Sequence, residues 1–150
     1  MENKVYNFFR FEDLRIYHKA LDYSRWINSH LRLMLNDAIS DQYRISFSQS
    51  AVNIAINIAE GSGRNKSQFV YYLKMAKSAV RECVVFTSVG LSEGYFSEEV
   101  HEESRNYLIE ISRMVGALIT SLQKGRRTDS GEHDDHDEMI DSSLDDEHEI

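Results

Sequence analysis

The sequence has no proline and only seven glycines in 150 residues. Without proline no helix interior is forced to kink, and with few glycines long helices are possible almost anywhere. A single cysteine, Cys83, excludes an internal disulfide and fits a reducing, cytoplasmic setting. No uninterrupted apolar run is long enough to span a bilayer, so no membrane role is expected. The opening Met1-Glu2-Asn3-Lys4-Val5-Tyr6 lacks the apolar stretch of a signal peptide. Lysine and arginine are absent after Arg127. That absence divides the chain. Residues 1–127 hold all 17 basic residues against 14 acids, a balance of +3, whereas residues 128–150 hold the other 11 acids, a balance of −11. The net charge of −8 therefore averages a mildly basic body and an acidic appendage.

The length fits one domain with a core that needs no covalent staple. Apolar periodicity predicts four helices. The first runs from about Glu12 to Leu35, with Leu14, Tyr17, Leu21, Ser24, Ile27 or Asn28, Leu31 and Leu35 at helical spacing. Asp41 is the expected cap of the second, from about Gln42 to Glu60. That helix has one apolar face of Tyr43, Phe47, Ser50, Ile54 and Ile58, and another of Ile45, Val52, Ile56 and Ala59. Between Ile45 and Ala59 there is no charge, yet six of the 15 residues are Ser, Gln or Asn, so the segment reads as a helix covered on two sides rather than a membrane span. One bundle core buries only one of these faces, so the spare face should meet either a neighbouring helix on its far side or another subunit, and Ile45, Val52 and Ile56 are assigned to the oligomer interface.

Gly61 is expected to end the second helix in the left-handed conformation, and Ser67 to cap the third, which reaches about Leu91. Phe69, Leu73, Ala76, Val80, Cys83 and Thr87 point inward, Tyr71, Met75, Phe86 and Val89 widen the apolar arc, and Lys74, Lys77 and Arg81 form a narrow basic stripe. Gly90 and Gly94 mark the next turn, Ser97 caps the fourth helix, and Tyr107 or Leu108, Ile111, Val115, Leu118 and Leu122 carry its stripe to Lys124. Short connections between such helices imply an all-α, up-down-up-down antiparallel four-helix bundle over residues 1–125. Residues 126–150 carry too little apolar surface to fold and are expected to form a disordered acidic tail.

Three motifs carry a resemblance. The first is Phe11-Glu12-Asp13-Leu14-Arg15-Ile16-Tyr17-His18-Lys19-Ala20; the second is Asn57-Ile58-Ala59-Glu60-Gly61-Ser62-Gly63-Arg64; the third is Tyr72-Leu73-Lys74-Met75-Ala76 with Ser78 and Glu82. Over roughly residues 9–95 the chain resembles the four-helix bundle proteins encoded in intervening sequences of bacterial 23S rRNA genes, and the related accessory variability proteins of diversity-generating retroelements. The resemblance implies a bundle that assembles into a five-fold ring. In retroelement members the ring is basic and works with a reverse transcriptase and nucleic acid. Where family members often carry a Gln and adjacent arginines, this chain has Ser46-Phe47-Ser48-Gln49, and a frequent proline is Ala55. This departure removes arginine charge and leaves the fold inference intact.

Arg64, Lys66, Lys74, Lys77 and Arg81 are candidates to follow a phosphate backbone, against the reading of an ordinary solvated helix face. Aromatic interleaving around these cations is poor, which argues against base stacking. Asn57, Glu60, Gly61, Gly63 and Glu82 are read as structural. Glu60 is placed to anchor Arg64 or a backbone amide, and no partner acid, nucleophile or metal cluster accompanies it as catalysis would need. Glu82 is either an anchor between helices or subunits or an exposed flank charge. His133-Asp134-Asp135-His136-Asp137-Glu138 reads as acidic tail rather than a closed metal site. Cys83 reads as core, and His18, His30 and His101 as isolated. No cofactor is expected. The leading expectation is a non-enzymatic, ring-forming homo-oligomer, pentameric by the resemblance, offering a basic surface to RNA, DNA or a reverse-transcriptase-like partner. The alternative is a protein-interaction module without nucleic-acid binding.

Overall fold

In a computed structural model of the chain, residues 8–34 and 37–130 are described, with side chains as far as Gly125. Phe9 leads into a short 3-10 turn, Arg10–Asp13. Four helices follow: α1, Arg15–Leu31; α2, Ala38–Ser62; α3, Lys66–Ser92; and α4, Glu98–Ser130. No strand occurs among the described residues.

Each helix packs on its two neighbours in a closed circuit, α1 on α2, α2 on α3, α3 on α4 and α4 on α1. Tyr43 near the start of α2 donates to the Phe86 carbonyl near the end of α3, and Gly61 at the far end of α2 meets Tyr72 and Phe69. Those two helices are therefore antiparallel. Lys19 pairs with Glu110 at 3.1 Å and Tyr23 bonds Ser104 at 2.9 Å, so α1 and α4 are antiparallel too.

The inward face of α2 is as the periodicity predicts: Tyr43, Phe47, Ser50, Ile54 and Ile58 are buried. On α3, Leu73, Ala76, Val80, Cys83 and Thr87 are buried. On α4 it is Leu108 rather than Tyr107 that enters the core with Ile111 and Val115. Burying a side chain of the size of Phe47 or Ile54 stabilises by about 1.5–3 kcal/mol relative to leaving it exposed. One polar chain crosses this interior. Tyr23 Oη, Ser104 Oγ and Thr87 Oγ1 are linked at 2.9 and 3.0 Å, and Thr87 donates to the Cys83 carbonyl at 2.6 Å. Each hydroxyl thus has the partner that a buried polar group requires. Burial pushes the Tyr23 hydroxyl and the Cys83 thiol well above their ordinary pKa values.

Several boundaries differ from the sequence expectation. Leu14 is extended and separates the 3-10 turn from α1, which ends at Leu31 rather than Leu35. Asp37, not Asp41, caps α2 by accepting from the Ser40 N–H at 2.8 Å. That bond holds the Asp37 carboxyl below its ordinary pKa. Asn65, not Ser67, caps α3 by accepting from the Gln68 N–H at 3.0 Å. Ser97 does cap α4. Gly61 is not a left-handed cap: it is helical and buried, and Gly63 follows as the end residue with a negative φ. Gly90 likewise lies inside α3 against Phe96 and Tyr43, leaving Gly94, at φ +76°, to make the turn. Finally, α4 runs through Ser130, past the expected boundary at 125. The remainder of the expected tail, with its His133–Glu138 run, lies outside the described residues.

Candidate functional site

The α2–α3 corner is built by the second sequence motif. Asn57 Nδ2 donates to the Asn53 carbonyl at 2.8 Å, holding the last turns of α2. Gly61 then lets α3 approach closely: a Cβ there would stand 2.6 Å from Tyr72 Cβ and 2.9 Å from a Phe69 ring carbon. Beyond it, Arg64 donates to Glu60 Oε1 at 2.6 Å and lies 5.0 Å from the centroid of the Tyr72 ring. Glu60 is thus the anchor of Arg64, and the pair is fixed over an aromatic face. Farther along α3, Glu82 accepts from Ser50 Oγ at 2.8 Å, joining α3 to α2 across the outer edge of their contact.

The basic candidates do not form one surface. Arg64 and Lys66 are exposed at the corner. Lys74 is half-buried and Arg81 exposed on the outer side of α3, about 22 Å along the helix from Lys66 at 1.5 Å per residue. Lys77 does not belong to an exposed stripe, because it is only 5% accessible. Its helical position is turned toward the core by about 40° from Arg81, where its long aliphatic stem is covered by packing. The stripe is therefore interrupted at its centre.

The outer faces of α2 and α3 each carry exposed apolar residues among polar ones. Ile45 is 67% and Ile56 49% exposed, with Val52 half-buried between them. On α3 the exposed residues Tyr71, Met75, Val85 and Val89 recur at heptad-like spacing together with Ser78 and Glu82. The two stripes lie opposite the buried faces of their helices.

A feature that sequence reasoning missed lies at the corner. The 3-10 turn packs on α2 and brings Phe8, Phe9, Arg10 and Phe11 opposite Glu60, Gly63, Arg64, Asn65 and Gln68, around an open groove of about 810 Å3. Phe8 and Phe9 are 81% and 54% exposed. Their rings continue into a ladder: Phe8–Phe9 at 5.0 Å, Phe9–Phe11 at 5.9 Å and Phe11–Tyr17 at 5.0 Å between centroids. Poor aromatic interleaving describes Lys74 and Arg81 but not Arg64, which has the Tyr72 ring beside it and shares its groove with Phe8, Phe9 and Phe11 from more than 50 positions earlier in the chain. The run Phe8-Phe9-Arg10-Phe11 was the available signal.

Among the described residues, no three His, Cys, Asp or Glu side chains are grouped to hold a metal ion, and no helix is long and apolar enough to cross a membrane. The model of the family described as 23S rRNA-intervening sequence protein matches residues 12–117. No curated protein matches the chain.

Proposed function

The chain belongs to the family of 23S rRNA-intervening sequence proteins, and from that premise we propose that it acts without catalysis, as a homo-oligomeric ring of helical bundles presenting basic surface to nucleic acid or to an enzyme acting on nucleic acid. The observation that carries this reading is the pair of uncovered apolar stripes, Ile45–Val52–Ile56 on α2 and Tyr71–Met75–Val85–Val89 on α3. Exposed apolar patches rimmed by polar residues mark interaction sites. Two dissimilar stripes on one subunit suit a heterologous contact, α2 of one copy on α3 of the next, and such contacts close into rings when their rotation allows. The five-fold number rests on the family resemblance. Arg64 and Lys66 at the corner, and Arg81 with the half-buried Lys74 on α3, supply two separate basic patches.

Burial of Lys77 favours a second reading, a protein-interaction module that binds no nucleic acid, because it leaves the α3 stripe with Lys74 and Arg81 alone. Titration of labelled RNA and DNA at several salt concentrations separates the two. The first reading requires binding that weakens steeply with salt, as release of counterions from phosphates demands. Absence of binding at low salt supports the second.

A further inference from the structure

We infer that the groove between the amino-terminal turn and the α2–α3 corner is a binding site for single-stranded nucleic acid; this rests on the nucleic-acid reading above and gives it a location and a strand preference. Phe8 and Phe9 present their rings to solvent in edge-to-face contact, 83° apart. Adjacent exposed phenyl groups form a platform on which unpaired bases stack, and this stacking tolerates any sequence because every base has a π-face. A duplex hides those faces, so the platform selects single strands.

Two guanidinium groups flank the rings. Arg10 lines the groove from the turn, and Arg64 lines it from the corner, braced by Glu60 and the Tyr72 ring. Arginine in such a position contacts phosphate through paired N–H donors. Asn65 and Gln68 add neutral side chains to the same wall. Glu60 is the acid that lines the groove, and its carboxylate is engaged by Arg64 at 2.6 Å. The charge facing the groove is therefore small and positive, so stacking carries more of the affinity than ion pairing does.

The test uses the full chain and a labelled oligothymidylate of about 12 nucleotides, near the site sizes of single-strand binding folds, beside a duplex of equal length. Fluorescence anisotropy is expected to show tighter binding of the single strand. Phe8→Ala with Phe9→Ala weakens it at least about tenfold, consistent with loss of stacking. Phe8→Trp with Phe9→Trp retains it, and Arg105→Ala, near the start of α4 and away from the corner, changes it by less than about twofold, as loss of one remote screened charge would. Circular dichroism checks that the variants fold, which the exposure of both rings favours. Binding that survives the double alanine change but falls with Arg81→Ala overturns this site while sparing the nucleic-acid reading. An equal or stronger preference for duplex also overturns the site. Failure of every nucleic acid to bind at low salt overturns both. A fall in oligomer mass in the double alanine variant assigns the rings to a subunit contact and overturns the site.

Discussion

Gly61 and Tyr72 approach so closely that a Cβ on the glycine would stand 2.6 Å from the tyrosine Cβ. This contact sets the distance between α2 and α3 at the corner that also holds Glu60 and Arg64. Alanine normally stabilises a helix interior by up to about 1 kcal/mol over glycine. At Gly61 the clash prevails, because the neighbouring atoms are a Cβ and a ring rather than a flexible chain end. Gly61→Ala is expected to lose about 1–3 kcal/mol, the usual cost of overpacking. Gly116, helical with nothing within 4 Å of an added Cβ, gives the opposite sign: Gly116→Ala should gain about 0.4–1 kcal/mol. Urea titration of both variants reads the difference.

The two sides of α2 give a second contrast. Ile54 is fully buried, and Ile56, two residues on, is half exposed. Ile54→Ala should cost about 2–5 kcal/mol, combining lost transfer energy and a cavity. A loss under about 1 kcal/mol would mean the inward face is misassigned. Ile56→Ala should instead act on assembly, lowering oligomer mass at a given concentration.

These comparisons indicate what was legible in the sequence. Helix number and inward faces were legible because Phe47, Ile54 and Ile58 on α2, and Leu73, Ala76 and Val80 on α3, recur at a spacing that only a helix brings to one side. The caps were less so. Asp37 and Asp41, like Asn65 and Ser67, are alternative capping residues within one turn, and local preference ranks such residues nearly equally. Gly61 and Gly90 resemble turn signals in sequence, but their role is set by side chains on other elements. Lys77 was misplaced because charge alone implied exposure, whereas a lysine stem can be covered by packing. The groove was invisible to periodicity, since Phe8 and Arg64 meet only after the chain has folded back.

Acid should reveal the cap of α2. The Ser40 backbone bond holds Asp37 below its ordinary pKa, so the folded value lies under the unfolded one. Its contribution is complete above the unfolded value and is lost as pH falls through the folded value. Asp37→Ala is expected to lower the urea midpoint at neutral pH. The gap between the two proteins should narrow below about pH 4, where the carboxylate titrates.

Residues 131–150 contain ten acids and no lysine or arginine. They follow the end of α4, where Lys66 Nζ lies 3.3 Å from the position of a Cβ on Gly125. A tethered segment acts at an effective concentration on the order of millimolar, so it should compete with phosphates for Arg64 and Lys66. A chain ending at Ser130 should bind nucleic acid several-fold more tightly at low salt. The gain should fade as the screening length drops to about 8 Å at physiological ionic strength. Unchanged affinity at low salt would leave the acids with a solubility role alone.

The central claim is that the stripes on α2 and α3 meet between copies of the chain. Light scattering coupled to size-exclusion chromatography, at micromolar concentration, tests it most directly. The chain mass is 17.4 kDa; a five-fold ring predicts a single species of about 87 kDa, the closed symmetry expected of a heterologous contact. Ile45→Glu with Ile56→Glu should convert that species to folded 17.4 kDa monomers. A wild-type chain that elutes as a stable monomer at the same concentration would contradict the account.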